Sequence, residues 1–81
     1  MKEETKGYFI CDGNGEGLWL DEKGDLYYNA QKTSVFTIRR AATDAMNCAI
    51  ERLPTRERLD QNVERTLRNS RVKRLVTRFE S

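Results

Sequence analysis

The chain has 81 residues, of which 37% are hydrophobic and 35% are charged, and its formal net charge at pH 7 is +2. A chain of this length forms one small domain that buries little apolar surface, so self-association or a binding partner is a natural way to complete its core. No apolar run is long enough for a secretory signal or a membrane span, which favours a cytoplasmic protein that does not bind membranes.

The charge changes sign along the chain. Residues 1–38 contain four basic and seven acidic residues, whereas residues 39–81 contain eleven basic and six acidic residues. The net charges of the two halves are therefore −3 and +5. Any basic surface is expected in the C-terminal half of the chain.

The N-terminal half has the pattern of a small sheet. Residues 1–6 are polar and predict a flexible N-terminus, and one domain is expected over residues 7–81. Within it, residues 8–11, Leu18–Leu20 and Leu26–Tyr28 are short runs of aromatic and branched side chains bounded by Gly, Asp or Asn. This pattern predicts a three-stranded antiparallel meander over residues 7–30.

The loops between these runs have the sequences DGNGEG and DEKGD. Their glycines suit turns that require a positive φ. Asp12, Asn14 and Glu16 also have the spacing of a calcium loop, but the twelfth position, where such a loop requires a bidentate Glu, is Lys23. Because strand-like sequence flanks the loop on both sides, the sequence predicts turns and no metal site.

Alternation along the predicted strands places Trp19 and Tyr27 on the face opposite the leucines, joined by Phe9 or Tyr8 from the first strand. Neighbouring side chains or a second copy of the chain would cover these rings in a purely structural role. Alternatively, the rings stack on bases or anchor a protein partner. Five nearby acidic residues would repel phosphate and favour a protein partner: Asp12, Glu16, Asp21, Glu22 and Asp25.

The period of the apolar residues becomes helical after Phe36. Thr37 is the predicted N-cap of a helix over residues 37–53 with an alanine-rich apolar stripe, and Pro54 ends it. Thr55 is the predicted cap of a second helix over residues 55–69, which has a narrow apolar seam and pairs Glu64 with Arg68. The seam consists of Leu59, Val63 and Leu67.

The C-terminal element, residues 71–79, fits two structures. Its apolar residues share one face of a helix, yet its β-branched and aromatic content equally suits a fourth strand, and the helix is slightly favoured. In a helix, Arg71, Arg74 and Arg78 would lie on the opposite face and could follow a phosphate backbone. The same basic run would alternatively form an ordinary solvated surface. The candidate nucleic-acid-binding residues are Arg65, Arg68, Arg71, Arg74 and Arg78.

Catalytic and cofactor-binding patterns are missing from the sequence. The chain contains no histidine, no GxSxG motif and no CxxC pair, so it predicts neither an enzyme nor a bound cofactor. Cys11 and Cys48 lie far apart among apolar residues, which favours buried reduced thiols.

The sequence therefore predicts an α+β domain: a three-stranded antiparallel meander packed on one face by two helices, with a C-terminal helix or fourth strand. The favoured function is a small non-catalytic binding protein that occupies a surface of a larger protein or complex, as inhibitor or accessory proteins of phages and mobile elements do. The predicted protein-binding residues are Trp19, Tyr27 and Phe9. The alternatives are a nucleic-acid-binding module that uses the arginine cluster, and a homodimer.

Overall fold

The computed structural model describes residues 2–56 and 59–79, with side chains for residues 6–56 and 59–76. This part of the chain forms a small α+β fold with five strands in two antiparallel sheets and two helices, which confirms the predicted class. The strands are β1 (Lys2–Cys11), β2 (Leu18–Leu20), β3 (Leu26–Tyr28), β4 (Val35–Phe36) and β5 (Arg71–Phe79). The helices are α1 (Arg39–Arg52) and α2 (Gln61–Arg68), with a short 3-10 turn at Leu53–Thr55.

Strand β1 is the centre of the larger sheet, which has the order β4-β1-β5. It pairs with β5 along its whole length, from Lys2 opposite Phe79 to Cys11 opposite Arg71. The C-terminal element is therefore a strand, and the slightly favoured helix is wrong. Pairing with β1 satisfies the backbone of β5 and also brings Val72 opposite Ile10, where it packs against the core. The sheet also extends into the range predicted as a flexible N-terminus, because β1 begins at Lys2.

The predicted meander is only partly formed. Strands β2 and β3 make a separate two-stranded sheet, and an isolated bridge joins Cys11 of β1 to Gly17, the residue before β2. The other edge of β2 bonds to Ser34, whose amide donates to the Leu18 carbonyl at 3.1 Å and whose hydroxyl accepts from the Leu20 amide at 2.8 Å. The segment before β4 therefore lies beside β2 and links the two sheets.

Helix α1 agrees with the predicted helix except at its start. Its N-cap is Ile38 rather than Thr37, and no side chain caps it. The Thr55 hydroxyl bonds to the carbonyl of Arg52 at the end of α1 rather than capping the second helix. That helix begins later, at the Asp60 cap, whose carboxylate accepts from the Asn62 amide at 2.7 Å. Of the predicted second helix, residues 57 and 58 lie outside the described residues.

The core lies between the two sheets and the helices. Small side chains at Ala42 and Ala49 are buried, which lets α1 pack closely against the sheet residues. Leu67 is the buried residue of the α2 seam, whereas Leu59 and Val63 are half-buried. The predicted leucine face and alanine stripe are therefore confirmed by the buried apolar cluster: Ile10, Leu18, Leu26, Ala42, Ala49, Leu53 and Leu67.

The two cysteines differ in their surroundings. Both are free thiols, and Cys11 is buried as predicted. Cys48 is exposed, so the prediction that it is buried is wrong. It lies away from the buried stripe of α1, which contains Ala42 and Ala49. Across the described ranges, neither helix has the length and apolar character needed to cross a membrane.

Candidate functional site

Two hairpin loops share one hydrogen-bond pattern. In residues 12–16 and 21–25, the first aspartate accepts bonds from the amides two and four positions later, at 2.8 to 3.0 Å. The fourth residue of each loop is a glycine with positive φ, +89° at Gly15 and +90° at Gly24. This is the geometry of a three-residue hairpin loop that ends in a left-handed residue. The prediction that both segments are turns is confirmed.

Asp12 differs from its counterpart Asp21 because it is almost completely buried, with 1% of its surface exposed. Its second carboxylate oxygen accepts a 2.6 Å bond from the Tyr28 hydroxyl. Burial by itself raises the pKa of Asp12, but the bonds from Tyr28 and from the amides of Glu16 and Asn14 outweigh it, and the pKa is lowered. The carboxylate is thus held ionised as the centre of its loop. Among the described residues, no group of three or more acidic or cysteine side chains is placed to hold a metal ion.

Tyr28 is the donor of the hydrogen bond to Asp12. Withdrawal of its hydroxyl from water, together with the hydrogen bond and charge of Asp12, raises the pKa of Tyr28 to about 12 from its ordinary value of 10.0. A raised pKa favours the folded state while the phenol is protonated, so this contribution is complete below pH 10.0 and is lost as the pH rises towards about 12.

We expect absorbance at the tyrosinate band to show a tyrosine that ionises near pH 12 in the folded protein. The Tyr28→Phe variant should lose this late step because it lacks the phenol, whereas Tyr27→Phe should retain it. Unfolding by urea at each pH would test the linkage, since the wild type should lose stability above pH 10.0 more steeply than Tyr28→Phe. A late step that survives in Tyr28→Phe would contradict the assignment.

The rings of Trp19 and Tyr27 lie opposite each other on the β2–β3 hairpin, with centroids 6.3 Å apart. Arg56 extends this surface: its guanidinium lies 4.4 Å from the Tyr27 centroid, and its Nη1 donates to the Leu26 carbonyl at 2.9 Å. We refer to Trp19, Tyr27 and Arg56 as the aromatic surface. Tyr27 keeps 39% of its surface exposed, so these contacts leave the ring accessible to a partner.

The charges around the aromatic surface are mixed rather than acidic. Asp12 and Asp25 are buried, and Asp25 forms a 2.9 Å ion pair with Arg52. Glu22 does line a shallow groove beside Trp19, but the Lys32 ammonium lies 5.8 Å from the Trp19 ring. The acidic rim predicted from the sequence is therefore reduced, because some of its carboxylates serve inside the fold.

A surface groove of about 480 Å³ adjoins the aromatic surface between β3 and α2. Leu26 and Leu67 contribute buried apolar residues to it, and Leu59 and Val63 contribute half-buried ones. Tyr27, Tyr28 and Arg56 contribute its aromatic and basic lining, and Asp25 and Asp60 contribute two acidic residues. We call this the α2–β3 groove; it uses the thin helical seam that the sequence analysis identified.

Phe9 does not join Trp19 and Tyr27. It lies in β1, opposite Val35 of β4 on one side and Lys73 of β5 on the other. Residues that are directly opposite in an antiparallel sheet share a face, so Phe9 belongs to the face away from Ile10 and the core. We call this the outer face. Phe9 and Leu75 line a groove of about 240 Å³ there.

The five arginines of the predicted basic cluster are not on one surface. Alternation along β5 places Arg71 on the outer face and Arg74 on the opposite face, which corrects the helical arrangement. Arg68 forms a 3.1 Å ion pair with Glu64, as the sequence predicted. Arg65 and Arg71 line one groove of about 350 Å³ together with Asn14, Thr66 and Asn69. The side chain of Arg78 lies outside the described residues.

Three contributing residues were missed by sequence reasoning. The signal for Arg56 was its basic, planar side chain in a helix linker, but nothing local indicated that it stacks on Tyr27. Tyr28 was not a candidate residue; it lies opposite Leu18, is 42% exposed, and its hydroxyl donates to Asp12, a distant contact that the sequence does not indicate. Lys73 was not among the five candidate arginines, and its position beside Phe9 follows only from strand pairing.

Comparison with known proteins finds no family model, no curated protein and no solved structure that matches this chain.

Proposed function

We propose that the protein is a non-catalytic binding protein that occupies a surface of a larger protein or complex, using the aromatic surface and the α2–β3 groove. The observation that carries the proposal is that the aromatic surface and the α2–β3 groove adjoin each other. Trp19, Tyr27 and Arg56 are the residue types that dominate binding energy at protein interfaces. They lie directly beside a groove with an apolar floor.

Arg56 favours a particular partner chemistry. Two contacts fix its guanidinium, one to the Tyr27 ring and one to the Leu26 carbonyl. Among the described residues, no carboxylate forms an ion pair with it. A fixed guanidinium loses little entropy when it binds a carboxylate. The expected partner segment therefore places an apolar or aromatic side chain in the groove and a carboxylate on Arg56. Masking such a segment is how an inhibitor or accessory protein acts.

Removing both rings by the Trp19→Ala and Tyr27→Ala changes should weaken partner capture at least tenfold, because large aromatic anchors carry most of the binding energy of an interface. The partner is first identified by capture on the wild-type protein followed by cross-linking. The measurement is then the dissociation constant of each variant for the purified partner. Tyr27→Phe keeps the ring under Arg56 and should bind normally.

Ile38→Ala is the control for loss of exposed apolar surface, since Ile38 is 63% exposed and lies outside the groove. Circular dichroism of each variant would establish that it remains folded. Unchanged affinity in the folded double variant would overturn the proposal, as would an equal loss in Ile38→Ala.

A further inference from the structure

The outer face of the β4-β1-β5 sheet combines an aromatic ring with cations, at a place separate from the aromatic surface. Arg71 and Lys73 point to this face from β5, opposite Cys11 and Phe9 of β1. They are two residues apart along an antiparallel strand, which is about 6.8 Å. This separation is comparable with that of successive phosphates in a nucleic-acid strand.

The first hairpin loop connects these cations to Arg65. The Lys73 ammonium lies 3.7 Å from where a Cβ would stand on Gly15, so its side chain reaches the loop. On the other side of the loop, Arg65 and Arg71 share the groove that Asn14 and Asn69 also line. The Gly13 amide bonds to the Thr66 carbonyl at 3.2 Å, which fixes the loop against α2. The three cations thus follow one path past a rigid loop.

The two grooves along this path are lined without opposing charge in the part of the chain that the structure describes. Neither the groove beside Phe9 nor the groove between Arg65 and Arg71 has an acidic residue among its described lining. Glu16 is the exposed carboxylate of the adjoining loop, and it lines a different groove, with Tyr28. This contrasts with Trp19, whose groove includes Asp21 and Glu22 together with Lys23.

We infer that the outer face binds single-stranded nucleic acid, with a base stacked on Phe9 and the neighbouring phosphates on Lys73, Arg71 and Arg65. An aromatic ring on a sheet with flanking cations is the arrangement that binds unpaired bases with little sequence preference. The apolar groove formed by Phe9, Val35 and Leu75 receives the base edge. This site goes beyond the proposed protein-binding function and does not depend on it.

The test is fluorescence anisotropy with labelled oligothymidine and oligouridine of about 12 nucleotides, and with a duplex of the same length. Three phosphate contacts to a single strand predict a slope of about −2 for the logarithm of the binding constant against the logarithm of salt concentration. Affinity for the single strands should therefore fall about twentyfold between about 50 mM and about 200 mM salt. The duplex should bind more weakly than either of the single-stranded oligonucleotides.

Substitutions at two arginines of β5 provide the matched comparison. Arg71→Ser should weaken binding and reduce the salt slope by about 0.7, because it removes one phosphate contact. Arg74→Ser removes the same charge from the opposite face of β5 and should leave both unchanged. Phe9→Leu should weaken binding about tenfold without changing the slope, since stacking releases no counterions. Circular dichroism identifies variants that fail to fold, and the Arg71 and Arg74 pair does not depend on the Phe9 variant.

Four results would overturn the inference. The first is no binding at the lower salt concentration, and the second is an equal loss in Arg71→Ser and Arg74→Ser. The third is full competition by inorganic phosphate at matched ionic strength, which would indicate a site for an isolated anion. The fourth is light scattering that shows a dimer whose dissociation follows substitution of Val35, which would assign the outer face to a second copy of the chain. Because Trp19→Ala and Tyr27→Ala leave this face intact, they should not affect oligonucleotide binding.

Discussion

Replacing Asp12 by Ala is expected to destabilise the protein by about 4 kcal/mol, since the change removes a buried ionised acceptor of three hydrogen bonds. The amides of Asn14 and Glu16 and the hydroxyl of Tyr28 would then have to find other partners. A chain of this length has a total stability of about 4 to 12 kcal/mol, so the variant should lose between about a third and all of it. Urea unfolding followed by Trp19 fluorescence measures the loss.

The second hairpin loop supplies the control for this prediction. Asp21 accepts the same pair of amide bonds, from Lys23 and Asp25, but it is only half-buried, and among the described residues no hydroxyl donates to it. Asp21→Ala should therefore cost about 1 kcal/mol. Equal losses in the two variants would show that the loop turn alone, and not the buried bond to Tyr28, accounts for the effect.

Gly7→Ala is expected to cost about 3 kcal/mol and to lower the melting temperature by about 15 °C. Gly7 has a φ of +154°, and a Cβ there would stand 2.6 Å from the Phe36 carbonyl oxygen and 3.0 Å from a Val35 methyl carbon. These atoms belong to β4, so the short strand would have to move away from β1. The pairing of β1 with β5 changes register between Thr5 and Gly7, and the substitution would strain that irregularity as well.

Gly24→Ala separates the two contributions to this cost. Gly24 also has a positive φ, +90°, but nothing lies within 4 Å of an added Cβ. Its substitution should therefore cost only the backbone strain, about 1 kcal/mol. Differential scanning calorimetry of both variants gives the comparison. Equal shifts would mean that the approach of β4 to Gly7 contributes nothing.

The features that the sequence predicted correctly are determined by short-range chemistry. Aspartate and glycine spacing indicated the two loops, and the leucine and alanine periodicities indicated the buried faces of β2, β3 and α1. Each of these signals lies within one element or one turn. The start of α2 was misplaced by a few residues because both Thr55 and Asp60 are good capping residues, and only the structure selects Asp60.

The features that the sequence did not predict depend on distant pairing. Val72, Leu75, Val76 and Phe79 fit a helical face locally, and only the hydrogen bonds to β1 make this segment a strand. That same pairing decides that Arg71 and Arg74 point to opposite faces. It also decides that Phe9 lies beside Lys73 instead of Trp19. The sequence therefore indicates which residue types are candidates for the sites, but not which of these residues lie together.

The position of β1 has a consequence for how the protein is made. Its main partner is the distant strand β5, so the central strand leaves the ribosome long before residues 71–79 are synthesised. Until then, the other strand that pairs with it in the described part of the chain is the two-residue β4, and contacts this far apart in sequence form slowly. A nascent or prematurely terminated chain that stops before Arg71 therefore presents an open strand edge, which makes it a substrate for chaperones and a source of aggregation.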